Sequence, residues 1–143
     1  MADLEQAIKL LQDGCYTCVL WGEDRVYTSS SRGVKPLVQW LRSGLNGAGF
    51  FAADRVVGKA TAFLYVLLGV QAVYAHVISR SALDVLRQFG IDARYGTLVH
   101  YIINRKGDGI CPFEETVMQI QDPTTAFTAI LQKMQQMDIS LDD

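Results

Sequence analysis

The stretch Gly49–Gly69, GFFAADRVVGKATAFLYVLLG, constrains the fold more than any other part of the chain. It reads as one helix, apolar on nearly every side, with Asp54, Arg55 and Lys59 in its first turns. A helix that is apolar all round belongs in the middle of a fold. Charges at one end of it then lie at a rim or in a pocket, because burying them unpaired is too costly. The same stretch therefore marks both the core and a candidate site.

At 143 residues the chain is long enough for one domain with a sizeable core. Its residues are 50% hydrophobic and 20% charged, a globular balance rather than a disordered one. A net charge of −2 gives no general attraction for nucleic acid or an anionic membrane, so neither is expected as a partner. The opening MADLEQAIKLLQDG lacks the basic start and apolar run of an export signal. The longest apolar run, Ala60–Val70, is too short to span a bilayer. An odd count of three cysteines does not make a disulfide framework, and a cytoplasmic setting is expected.

Taken in order, Leu4, Ile8 and Leu11 recur at helical spacing before Gly14, so residues 1–14 form an N-terminal helix. Cys15–Trp21 and Arg25–Ser29 flank the turn Gly22-Glu23-Asp24 as a β-hairpin. Val34–Arg42 reads as a short helix with Pro36 in its first turn. After the central helix, Ala72–Ile78 reads as a buried strand, and Ser79–Ser81 cap a helix that Gly90 ends. Ile91–Tyr95 is a further short strand; Thr97–Ile103 is open between helix and strand. The loop Asn104–Gly109 leads to a short helix opened by Cys111-Pro112. Asp122-Pro123 then starts a helix to about Met137, and 138–143 is a frayed tail. Strand–helix–strand alternation needs crossovers that cover a sheet, which gives an α/β fold with helices on both faces.

Three segments, FAADRVVGKATAFLYVLLGVQAVYAHVIS, GI-x3-Y-x2-LV-x2-IINR and GICPFEETV, together carry a resemblance over about Leu10 to Ala129. The chain resembles a small prokaryotic family of unknown function that is similar to deaminases in fold. The resemblance implies a single deaminase-like domain over 1–143: a cytidine-deaminase-like three-layer α/β/α sandwich with a mixed sheet of about four to five strands. Zinc deaminases carry H-A-E at the start of the central helix and P-C-x-x-C at the start of the next. Laid on this chain, H-A-E falls on Ala52-Ala53-Asp54, and the next helix opens Ile78-Ser79-Arg80-Ser81-Ala82 without a thiol. Catalytic zinc needs about three protein ligands. The zinc motif is absent, and no metal and no cofactor are expected.

The candidate catalytic residues are Asp54, Lys59 and Cys111. Asp54 stands where the resemblance puts the deaminase glutamate, as a general acid/base, or else as a first-turn carboxylate favoured by the helix dipole. Lys59, among Val56, Val57, Ala60 and Phe63, serves as a base, an amine nucleophile or an anion contact, or instead snorkels out or pairs with a carboxylate. Cys111 before Pro112 sits at a helix N-terminus that favours a thiolate, while Glu114 and Glu115 oppose it. Ser79, Ser81 and Glu114 are the candidate ligand-binding residues. The two serines border a helix start able to bind phosphate or carboxylate. Cys15 and Cys18 have metal-like spacing, but in a strand they point to opposite faces. His76, alternating in a strand, reads as a core residue.

Two functions fit this pattern. One is a small-molecule site at the N-terminus of the central helix, for a nucleotide or nucleobase-like ligand, on a zinc-independent enzyme or a binding protein. The other is a non-catalytic regulatory or interaction protein on a degenerate deaminase scaffold. A small-molecule ligand and a homo-oligomer are the partners left open.

Overall fold

The computed structural model describes residues 2–141. Leu4, Ala7 and Leu11 line one side of α1 (Ala2–Asp13) and are buried against Val19, Phe51 and Ala53. Those three belong to a five-stranded sheet of β1 (Cys18–Trp21), β2 (Val26–Ser29), β3 (Phe51–Val57), β4 (Ala72–Ser79) and β5 (Asp92–Val99). Its order is β2-β1-β3-β4-β5. β1 is antiparallel to both its neighbours, whereas β3, β4 and β5 run parallel. Parallel neighbours require helical crossovers, supplied by α3 (Lys59–Leu68) and α4 (Arg80–Gln88). The remaining helices are α2 (Lys35–Arg42), α5 (Pro112–Thr116) and α6 (Pro123–Gln136). With α1 on one face and the α3 layer on the other, this is the expected three-layer α/β/α sandwich around a mixed five-stranded sheet.

The stretch Gly49–Gly69 is not one helix. Its first part is the strand β3, and Gly58 turns the chain into α3 with extended backbone. β3 is paired on both sides and covered on both faces, so it shows an apolar run instead of alternation. Such a run is indistinguishable in sequence from the helix that follows it. The helical part keeps the expected place. α2, α4, α5 and α6 all contact α3, and Phe63, Leu64 and Tyr65 have no exposed surface. Gly69 closes the helix with φ 81°, a left-handed conformation that glycine adopts without strain.

Other segments settle in similar ways. The strand reading of Thr97–Ile103 holds to Val99; beyond it Ile103 forms only an isolated bridge with Ile110 across the Asn104–Gly109 loop. His76 is exposed rather than in the core, because α1 lies mainly over β1 and β3. The tail expected to fray over 138–143 is ordered as far as Leu141, and Asp142 and Asp143 lie outside the described residues, as does Met1 of the N-terminal helix. Asp138 takes φ 57°, and the amides of Asp138 and Ile139 bond the carbonyls of Gln135 (3.1 Å) and Met134 (2.9 Å). This Schellman turn folds Ile139 and Leu141 back onto the core, where Gln39 donates to the Leu141 carbonyl.

Candidate functional site

A cleft of about 590 Å³ opens at the C-terminal end of β3, beside the start of the antiparallel β1. Crevices beyond the carboxyl ends of parallel strands are the usual ligand sites of open α/β sheets. Asp54 and Val56 of β3, Cys18 of β1, and Gly58, Ala60 and Thr61 at the start of α3 line it. The Ser31–Val34 loop forms another wall, and the segment from Ile102 to Glu114 closes it.

Asp54 is buried and forms part of a short polar chain. The Tyr65 hydroxyl donates to its Oδ2 at 2.7 Å, and the Val56 amide reaches Oδ1 at 3.3 Å. Cys18 Sγ lies 3.1 Å from the same hydroxyl. Burial pushes the Asp54 carboxyl up to about 6 against these hydrogen bonds, which favour the charged form. Burial, then the Asp54 charge, raises the Cys18 thiol; the same two causes in the same order raise Tyr65. Cys18 is therefore held as a neutral thiol, and Asp54 alone in this trio changes charge near neutrality.

Glu114 is the most heavily bonded side chain of the site. Its Oε1 accepts the Lys59 amide (2.8 Å) and the hydroxyls of Ser79 (2.8 Å) and Ser81 (3.2 Å). Its Oε2 accepts the Ile102 amide at 2.9 Å. The carboxylate thus joins the first turns of α3 and α4, where the dipoles of both helices favour negative charge. Gly58 permits this, since a Cβ there would lie 3.1 Å from Oε2 and 3.2 Å from an Ile102 methylene. Ser79 also caps α4, accepting the Ala82 amide at 3.3 Å. The two serines are thus committed to Glu114 and to the cap.

The sequence-predicted residues divide. Asp54, Cys111 and Glu114 line one cleft, and Ser79 and Ser81 stand directly behind Glu114. Cys111 is half-buried at the N-cap of α5, with its amide bonded to the Ile102 carbonyl at 2.8 Å. Lys59 is the first residue of α3, and its ammonium leads to the Met118 carbonyl (3.0 Å) and the Phe63 ring rather than to Asp54. Burial lowers its pKa, opposed by the Glu114 charge. Ala52-Ala53-Asp54 lies within β3, so these residues do not occupy a helix start. The turns that open α3 and α4 read Gly58-Lys59-Ala60 and Ser79-Arg80-Ser81, and a carboxylate lies between them. Among the described residues no three His, Cys, Asp or Glu side chains are grouped to hold a metal ion.

Sequence reasoning missed three participants, and it noted Arg55 only as a charge of the central stretch, with no role of its own. Tyr65 is hidden in the apolar pattern of α3, although a tyrosine in a core helix usually marks a buried polar partner. Arg32, Arg55 and Arg105 also line the cleft, from two loops and a strand. Arg55 is fixed by the Tyr16 carbonyl at 2.6 Å. Nothing in their spacing signals convergence.

Among solved structures, the chain is similar to a DUF1893 family protein (TM1506) from Thermotoga maritima, at 26% identity over 92% of this chain and 90% of that one, with a TM-score of 0.86. A diaminohydroxyphosphoribosylaminopyrimidine deaminase/5-amino-6-(5-phosphoribosylamino)uracil reductase from the same organism matches at 14% identity over 81% of this chain and 40% of that one, with a TM-score of 0.42. No curated protein matches the chain. The model of the TM1506 family, a domain of unknown function (DUF1893), matches residues 6–134, and the chain belongs to that family.

Proposed function

We propose that the cleft over Asp54 binds a small organic molecule of nucleobase or nucleotide type, and that Asp54 exchanges a proton or hydrogen bond with it. The observation that carries this reading is a carboxyl buried at the cleft floor whose pKa is raised to about 6. Holding such a group there destabilises the fold at neutral pH, and perturbed carboxyls in clefts are characteristic of functional sites. The apolar walls of Val34, Val56, Ile102 and Phe113 suit the face of a planar ring. Cys111 on the same wall is the nucleophile or ligand contact of this reading. Lys59 acts at a distance, bracing the end of the α5 segment through the Met118 carbonyl.

Thermal melting in the presence of nucleobases, nucleosides and mononucleotides tests the proposal. A ligand at about a hundredfold excess over its Kd stabilises by roughly 2.7 kcal/mol, which raises Tm by several degrees. Asp54→Asn is expected to abolish most of that rise while the variant stays folded. No rise with any of these compounds would refute the reading.

A second reading, an interaction protein, draws on Tyr95, Tyr101 and Ile103, which are exposed along and just beyond the edge strand β5. Exposed apolar clusters of this kind mark interaction surfaces. It predicts self-association in sedimentation that Ile103→Lys removes.

A further inference from the structure

The first turn of α3 has more hydrogen-bonding capacity than the protein uses. Of the amides in this turn, Glu114 accepts only that of Lys59. The next bond of the turn runs from the Ala62 amide to the Gly58 carbonyl at 2.9 Å. The intervening amides of Ala60 and Thr61 have no acceptor among the described residues, and both residues line the cleft. Gly58, the N-cap, has no side chain with which to satisfy them.

A second, independent observation lies beside those amides. Thr61 is 7% exposed and faces the cleft, yet its hydroxyl forms no hydrogen bond with any described residue. No enclosed side-chain oxygen among the described residues lacks a partner, so this hydroxyl is open to the cleft. Arg32 and Arg105 line the same cleft, neither paired with a described carboxylate. Two amides at the positive end of a ten-residue helix, a hydroxyl and two guanidinium groups are donors of the kind that holds a tetrahedral oxyanion. Glu114 does not fill this role, since all its hydrogen bonds are directed at Lys59, Ser79, Ser81 and Ile102.

The geometry points to a phosphomonoester as the ligand of this cleft. Its phosphate is seated on the Ala60 and Thr61 amides and the Thr61 hydroxyl, and is clamped by Arg32 and Arg105. Its organic part lies toward Asp54 and the apolar wall. The assignment rests on the small-molecule reading above and narrows it from ligands in general to phosphorylated ones. Arginine suits the role because its planar fork matches phosphate oxygens in pairs.

Amide NMR titrations at constant ionic strength test this, with inorganic phosphate, uridine and adenosine 5′-monophosphates, and the two parent nucleosides as probes. Phosphate alone is expected to shift the Ala60 and Thr61 amides saturably. At least one monophosphate is expected to bind about tenfold or more tighter than its nucleoside, as charged hydrogen bonds at one site would give. The double variant Arg32→Ala/Arg105→Ala, which alters only exposed side chains, is expected to erase that preference. Thr61→Val, nearly isosteric, is expected to weaken phosphate binding several-fold without unfolding the chain. If phosphate leaves both amides unmoved, or shifts only arginine neighbourhoods without saturating, the phosphate seat is wrong. If nucleosides bind as tightly as their monophosphates, the seat is again wrong while the cleft reading stands. If none of the probes binds, both fail together.

Discussion

Replacing Glu114 with alanine is expected to lower the stability of the protein by roughly 3 kcal/mol or more, one of the largest losses from any single side chain outside the apolar core. The carboxylate accepts four hydrogen bonds, two from backbone amides and two from hydroxyls. Its removal strands the Lys59 and Ile102 amides and leaves Ser79 with its cap contact and a 3.4 Å contact to the Ser81 hydroxyl. Each orphaned buried donor costs about 1–3 kcal/mol, offset in part by water entering from the cleft. Glu114→Gln keeps the shape but sets an amide N–H against a donor, so about half of the loss is expected. Urea unfolding followed by circular dichroism measures both. A change below about 1 kcal/mol for the alanine variant would show that the carboxylate does not join the two helix starts.

The second large effect is a pH dependence with an unusual sign. Asp54 has its carboxyl raised from 3.8 in the unfolded chain to about 6 in the fold. Between these values the native state binds more protons than the unfolded state, so stability falls as pH rises. The sign is opposite to that of an ordinary ion-paired aspartate. Below the unfolded value both states are protonated and nothing is lost; above the folded value the full cost is present, on the order of 3 kcal/mol. Asp54→Asn cannot ionise, so the difference in unfolding free energy between variant and wild type should move in the variant's favour by about that amount from pH 4 to pH 7. A difference that stays flat across this range would contradict the raised carboxyl. The Tyr65 hydroxyl limits the cost by donating to the charged form.

The sheet architecture was legible because its signals are local. The hairpin around Gly22, the caps at Ser79 and Asp122 and the stop at Gly69 each depend on a few neighbouring residues. The boundary inside Gly49–Gly69 was not legible. A doubly covered parallel strand and a buried helix present the same apolar run, and Gly58 between them reads as a packing glycine. That single boundary moved Asp54 from a helix start into a strand and Lys59 to the first turn of α3. Its consequences for the site follow from side-chain direction: Asp54 meets Tyr65 across the layer, whereas the Lys59 ammonium leaves toward Met118. The site as a whole was legible only in part. Asp54, Cys111 and Glu114 stood out through unusual local settings, and all three line the cleft. The partners of Glu114 lie 12 to 55 residues away in sequence, a separation to which helical or strand period is blind. The cleft arginines come from segments with no pattern of their own.

The most direct measurement is the titration of the Asp54 side-chain carbon by 13C NMR, assigned through Asp54→Asn. A midpoint near 6 is expected for the free protein. Saturation with a nucleoside or mononucleotide should displace that midpoint, because the ligand meets the carboxyl directly. A midpoint near the ordinary 3.8, unmoved by every such ligand, would contradict a functional carboxyl at the floor of this cleft.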